Sequence, residues 1–128
     1  VFIMTILNDL KEFLVENNAV SSEEVAFNFD DFLTDKKKLI LQCKGGEFSD
    51  IAKKTTVSVI VKNKSMKEAE SIVNTVYDCF YPPKQYEKPL SINGKMILIR
   101  PLQPPYYKEK EKNGRHVFSF DLKIIHTR

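Results

Sequence analysis

Histidine and cysteine are scarce in this chain, and the scarcity limits its chemistry. Among 128 residues there are two histidines, His116 and His126, and two cysteines, Cys43 and Cys79. The cysteines show no close pairing and no Cys-x-x-Cys, so they read as reduced, buried thiols. Glycine is also sparse, at four residues. Neither a Gly-x-x-x-x-Gly-Lys-Ser phosphate cradle nor a Gly-x-Gly-x-x-Gly turn is present, and no zinc-ligand spacing occurs. No apolar run approaches the ~20 residues needed to span a bilayer as a helix. The first residues lack a basic stretch, and charge arrives by Asp9, which reads against a secretory signal peptide. A net charge of +3 is too small to argue for nucleic acid.

What the chain does have is an ordinary globular balance, with 42% hydrophobic and 29% charged residues. Its length suits a single domain spanning residues 1–128, large enough for a real core. The clearest stretch is Ser65 to Phe80. Ser65 and Glu68 form the pattern of a capping box, in which each side chain satisfies one orphan amide. Ala69, Ile72, Val73, Val76, Tyr77 and Phe80 then recur at helical spacing as one apolar stripe. Pro82 and Pro83 stop the helix, because neither can donate an amide. A second stripe, Ile3, Ile6, Leu7, Leu10, Phe13 and Leu14, predicts a helix from about Ile3 to Glu16, ended by Asn17-Asn18.

Strand signals surround the central helix. Val25, Phe27 and Phe29 alternate within an acidic stretch and suit a short edge strand. Leu39 to Cys43 alternates, and so does Thr55 to Lys62 with Val57, Val59 and Val61 on one side. The intervening Lys44–Lys54 reads as a long connection. Asn93-Gly94, between Leu90–Ile92 and Lys95–Arg100, favours a tight type I′ hairpin. Met96 to Ile99 is apolar at every position, which suits a strand covered on both faces or lying centrally. Tyr106 to Lys112 reads as a charged loop closed by Asn113-Gly114. The last segment places His116, Phe118, Phe120, Leu122 and Ile124 on one side. Val117, Ser119, Asp121, Lys123 and Ile125 fall on the other, a half-polar face expected to be wet or to meet a partner. A one-faced helix needs a sheet to lie on. The expectation is an α+β fold: a mostly antiparallel sheet of about four to five strands with two helices packed on one face.

Catalytic patterns are few. The histidines would sit roughly 33 Å apart on an extended strand, too far to share a metal. A Cys43 or Cys79 thiol could still meet His116 in space as nucleophile and base, although no third orienting group suggests itself. Tyr106 and Tyr107 with their lysines resemble a nucleic-acid platform, but Glu109 and Glu111 interleave the lysines and would cancel most of the field. The expectation is a protein that is not an enzyme, with no cofactor, no bound metal, no nucleic-acid sequence specificity and no membrane attachment.

The order of these features resembles the tail terminator and head–tail joining proteins of long-tailed bacteriophages, often called minor capsid proteins. The matching stretches are Leu39 to Asp50 with its Gly-Gly and Asp, Thr56 to Val61, Ala69 to Tyr77, and Asn113 to Phe120. Together the pattern spans about Ile3 to Thr127. The resemblance implies a structural virion protein that forms a ring, commonly a hexamer, capping the tail tube and joining it to the head. It implies no reaction and no cofactor. Its partners would be further copies of itself, the major tail (tube) protein and a head-completion or connector protein. The place of action would be the bacterial cytoplasm during assembly, or a prophage-bearing cell, and then the virion's head–tail junction.

Two groups of residues are expected to make the contacts. Gly45, Gly46, Phe48, Asp50 and Ile51 form a candidate partner-binding loop, with glycine freedom beside exposed apolar side chains. Asp30 and Asp31 could face Lys36, Lys37, Lys53 and Lys54 of a neighbour, opposite charge meeting opposite charge across a ring contact. The alternative from a different class is a small cytosolic α+β binding or regulatory module acting as monomer or dimer.

Overall fold

The computed structural model describes residues 2–28, 36–48, 52–80, 89–92 and 95–127. Helix α1 (Phe2–Glu16) leads through a single 3-10 turn (Ser22–Glu24) into strand β1 (Val25–Phe27). Strands β2 (Lys38–Phe48) and β3 (Ala52–Asn63) precede helix α2 (Met66–Phe80). Strands β4 (Pro89–Ile92), β5 (Lys95–Pro101), β6 (Tyr106–Lys110) and β7 (His116–Thr127) complete the order.

All seven strands belong to one sheet, in the order β1-β2-β3-β7-β5-β4, with β6 paired to β7. Among the described residues only the β1–β2 pair is parallel; the other pairs are antiparallel. The α+β class holds, with more strands than the four to five expected. The strand not expected is β6, which was read as a charged loop and is exposed along its whole length; the short edge strand expected around Val25 and Phe27 is β1. Strand β6 buries no alternating apolar set by which a strand declares itself in sequence, whereas Val25 and Phe27 of β1 pack half-buried against the core.

Strand β7 is the middle of the sheet. It pairs with β3 from Ala52↔Thr127 to Asn63↔His116. Its opposite side takes β5 along residues 122–126 and then β6 along residues 116–119. The chain turns between those two strands at Leu102–Pro105, where the Leu102 amide donates to the Asp121 carbonyl at 2.9 Å. Strand β5 therefore lies inside the sheet, between β7 and β4, as its apolar run suggested. The register Ile92↔Lys95 leaves a two-residue connection at Asn93-Gly94, as a tight hairpin requires; those two residues lie outside the description.

One face carries the core. Leu39 and Leu41 pair with Val61 and Val59, which pair with Phe118 and Phe120. Those residues are buried together with Leu7, Leu10 and Leu14 of α1 and Ala69, Val73, Val76 and Phe80 of α2. The helices meet on that face, where the Phe13 and Phe80 rings stack with centroids 5.5 Å apart. The Tyr77 ring meets Phe120 edge-on at 5.4 Å. Ile72 and Tyr77 flank the stripe half-buried, so the fully buried line is narrower than the six-residue stripe read from sequence.

The helix ends follow their side chains. Ser65 caps α2: its Oγ accepts the Glu68 amide at 3.2 Å. The return arm of the capping box is not formed by Glu68. The Ser65 amide donates to Asn63 Oδ1 at 2.9 Å, and the Glu68 carboxylate faces Lys37 instead. Asn63 reaches Ser65 across only two residues, which leaves the longer glutamate free for a cation. At the end of α1, Asn18 takes a left-handed φ of 58°, with Ala19 N bonded to Leu14 O and Asn18 N to Val15 O, both at 3.0 Å. This is a Schellman closure with asparagine in the position glycine usually holds.

Candidate functional site

Gly45, Gly46 and Phe48 were expected in a loop. They lie in β2, with Gly45 opposite Thr56, Gly46 opposite Thr55 and Phe48 opposite Lys53. The register shifts between Cys43 and Gly45, so Lys44 is a bulge and the ladder resumes beyond it. Glycine carries no side chain to show alternation, and a bulge inverts parity. The pattern therefore broke at Cys43 while the strand did not. Asp50 and Ile51 lie outside the described residues, as do Asp30 and Asp31. At Lys53 and Lys54 the description is of backbone, within β3.

Lys36 and Lys37 precede β2. The Lys37 ammonium lies 3.3 Å from Glu24 and 3.8 Å from Glu68, tying the 3-10 turn to the start of α2. Its hydrogen bond to Glu24, and then that carboxylate's charge, hold Lys37 above its ordinary pKa. Lys37 is thus engaged within its own chain, with about half of its side chain still exposed. The carbonyl of Lys36 is also used internally, by Arg115.

Arg115 belongs to a cluster that sequence reading missed. Its side chain is fully buried, with Nη1 donating to the Lys36 carbonyl at 3.0 Å and Nε donating to Glu111 Oε1 at 3.0 Å. The second Glu111 oxygen accepts Lys62 Nζ at 2.6 Å, and both of those side chains are nearly buried. The turn between β6 and β7 sets this up. Gly114 N bonds to Glu111 O, Glu111 N bonds to Arg115 O, and Gly114 sits at φ 94°. A left-handed glycine after a tight turn brings Arg115 back over Glu111. The signal was available: Glu111 and Arg115 stand four residues apart across Asn113-Gly114.

The burial of Glu111 changes the charge of the β6 edge. Glu111 was expected to help cancel its neighbouring lysines, but its carboxylate is spent on Arg115 and Lys62. Lys108, Lys110 and Lys112 are exposed against Glu109 alone. Tyr106 and Tyr107 are each 43% exposed beside them, and Leu102 is 50% exposed. Lys108 is a bulge between the pairs Tyr107↔Phe118 and Glu109↔Val117.

A second polar group lies on the sheet face opposite the helices. Asp121 accepts Ser58 Oγ at 2.6 Å and Gln103 Nε2 at 3.3 Å, with Lys44 Nζ at 3.6 Å. Burial alone would raise the Asp121 carboxyl. The two hydrogen bonds and the Lys44 ammonium outweigh it and hold the carboxyl below the usual carboxylate range. This fixed carboxylate pins the Leu102–Pro105 corner to β7 and β3. The same face was expected to be wet or partner-bound, yet Ile40, Ser58, Lys62, Val117 and Ser119 are all buried.

The thiols do not form a reactive pair with His116. Cys43 sits opposite Val57, whereas His116 sits opposite Asn63, six residues further along β3 and roughly 20 Å away. Burial, and then the nearby Asp78 charge, push the Cys79 thiol up, away from thiolate. His116 Nδ1 instead meets the Tyr107 hydroxyl at 3.1 Å. Among the described residues no group of three or more His, Cys, Asp or Glu could hold a metal ion, and no helix is long and apolar enough to cross a membrane. No family model matches this chain, and no curated protein matches it.

Proposed function

We propose that this chain is a structural virion protein, a tail terminator or head–tail joining protein that forms a ring on the tail tube of a long-tailed bacteriophage. The observation that carries the reading is element order. A leading amphipathic helix is followed by a strand that runs through the Gly-Gly pair, a valine-rich strand, a capped helix and a hairpin turning at Asn-Gly-Arg before a long strand, and the strands form one sheet. Both helices share one face of that sheet. A ring needs two different contact surfaces on opposite flanks of each subunit. The strand path ends in β1 on one side and β4 on the other, and the basic, aromatic β6 pairs with β7 beside β5, so the two flanks of the sheet are unlike.

On this reading the protein acts in the bacterial cytoplasm during assembly and remains at the head–tail junction. Its partners are further copies of itself, the tube protein and a connector protein, and no reaction is involved. The test is deletion of its gene from the phage genome, with complementation in trans. Electron microscopy should then show tails of uncontrolled length, or tails separate from heads, restored by the wild-type gene. Normal-length tails joined to heads in the deletion would end this reading. A chain replaced at Phe48 and Ile51 by Ser should fold and fail to complement if the end of the β2–β3 hairpin meets the tube.

A further inference from the structure

Two parts of the surface carry opposite charge: strand β6, and the end of α1 with the Ser22–Glu24 turn that leads into β1. On the β6 side, Lys108, Lys110 and Lys112 are exposed and form no ion pair among the described residues, because Glu111 is turned inward. On the β1 side, a cleft of about 360 Å³ lies between the end of α1 and the Ser22–Glu24 turn. Lys11, Glu12, Val15, Glu16 and Ser22 line it, with Glu23 exposed beside it. The Lys11 ammonium lies over the Phe27 ring, 5.7 Å from its centroid, and Lys38 Nζ donates to the Glu23 carbonyl at 3.4 Å. The carboxylates of Glu16 and Glu23 form no ion pair among the described residues. Helix α1 has no basic residue in its last turn, so Glu16 adds charge to the negative end of the helix dipole. That arrangement is unfavourable in an isolated chain and is relieved by a cation arriving from outside.

We propose that the β6 edge of one copy docks by its side chains into the cleft beside α1 of a second copy. Lys108 and Lys110 meet Glu16 and Glu23, and the exposed Tyr106 ring covers apolar surface near Val15. The contact is heterologous, since it joins unlike surfaces, and such contacts propagate or close into rings. It is not strand addition: the Lys108 bulge and the edge lysines are features that block a further strand. The contact itself stands on charge and exposure; only its closure into a ring rests on the proposed function.

The test is a charge swap with the full chain. One variant carries K108E, K110E and K112E; the other carries E16K and E23K. All five positions are exposed, so both variants should keep the wild-type circular dichroism and melting transition. By sedimentation at rising concentration the wild type should self-associate, and 0.5 M salt should weaken this by at least about tenfold. Each variant alone should lose association by at least about tenfold, and an equimolar mixture should recover it, because each reversed edge then finds its complement. Zero-length carbodiimide crosslinking of mixed light and heavy isotope-labelled wild type should join Lys108 or Lys110 to Glu16 or Glu23 between copies. Within one chain β6 stands four strand spacings from β1, roughly 19 Å, too far for such a link.

Variants that associate as the wild type does would overturn this surface and leave the ring reading standing. Wild type that neither associates nor crosslinks would overturn the contact outright. If the wild type instead binds a labelled single-stranded oligonucleotide, loses it in the K108E/K110E/K112E variant and does not self-associate, the edge serves nucleic acid and the proposal fails. Failure of the ring reading is seen separately, in the tail lengths of the gene deletion.

Discussion

Arg115 donates to Glu111 at 3.0 Å across the β6–β7 turn, and neither side chain has more than a tenth of its surface in water. The carboxylate sits between that guanidinium and the Lys62 ammonium. Removing one member of such a group leaves its partners desolvated without their counter-charge. Glu111→Gln should therefore destabilise the fold by about 3 kcal/mol. Guanidinium denaturation of the variant measures it, and a loss under about 1 kcal/mol would mean the cations find other support.

The α2 cap divides its work between two residues, and mutation should separate them. Ser65→Ala should cost about 1 kcal/mol, since it leaves the Glu68 amide without its acceptor. Glu68→Ala should cost much less, because its side chain does not hold the Ser65 amide. Thermal melting of both variants checks the order; equal losses would restore the reciprocal capping box.

Val76 is wholly buried between α2 and the sheet. Val76→Ala should cost about 1–3 kcal/mol through lost burial and the cavity left behind. An unchanged denaturation midpoint would show that the neighbouring side chains collapse into the space.

Asp121 should make the fold acid-sensitive. Its carboxyl is held below the usual range when folded, so the unfolded chain takes up the proton first as pH falls. Its contribution is complete above the unfolded value of about 4 and is lost as pH drops through the lower folded value. Denaturation at a series of pH values should show a steeper acid limb for wild type than for Asp121→Asn. Parallel curves would remove Asp121 from the acid response.

Long elements with a buried stripe were legible in the sequence: both helices, the Val57–Val61 face and the alternation of β7. Their apolar periodicity is itself the cause of their burial. What escaped reading has no such cause. Gly45 and Gly46 continue β2 through backbone bonds alone, and the Lys44 bulge hides the continuation. Strand β6 forms because β7 offers it an edge, while its own residues stay in water. Glu111 and Arg115 look like surface charges until a left-handed Gly114 folds one over the other. Gly45, Gly46 and Phe48, expected in a free loop, lie in β2 instead. Asp30, Asp31, Asp50 and Ile51 fall outside the described residues.

Among the described residues, β7 is the strand that pairs with β3 on one side and with β5 and β6 on the other. Roughly fifty residues of chain separate Asn63 from its partner His116, so this pairing is distinctly non-local. On a ribosome, β2, β3 and α2 emerge well before the strand that completes their sheet. Until β7 arrives, Val57, Val59 and Val61 line an open strand with an unpaired backbone on one side. That interval is when the nascent chain is most exposed to mispairing with another copy, and the rate of β7 docking sets its length.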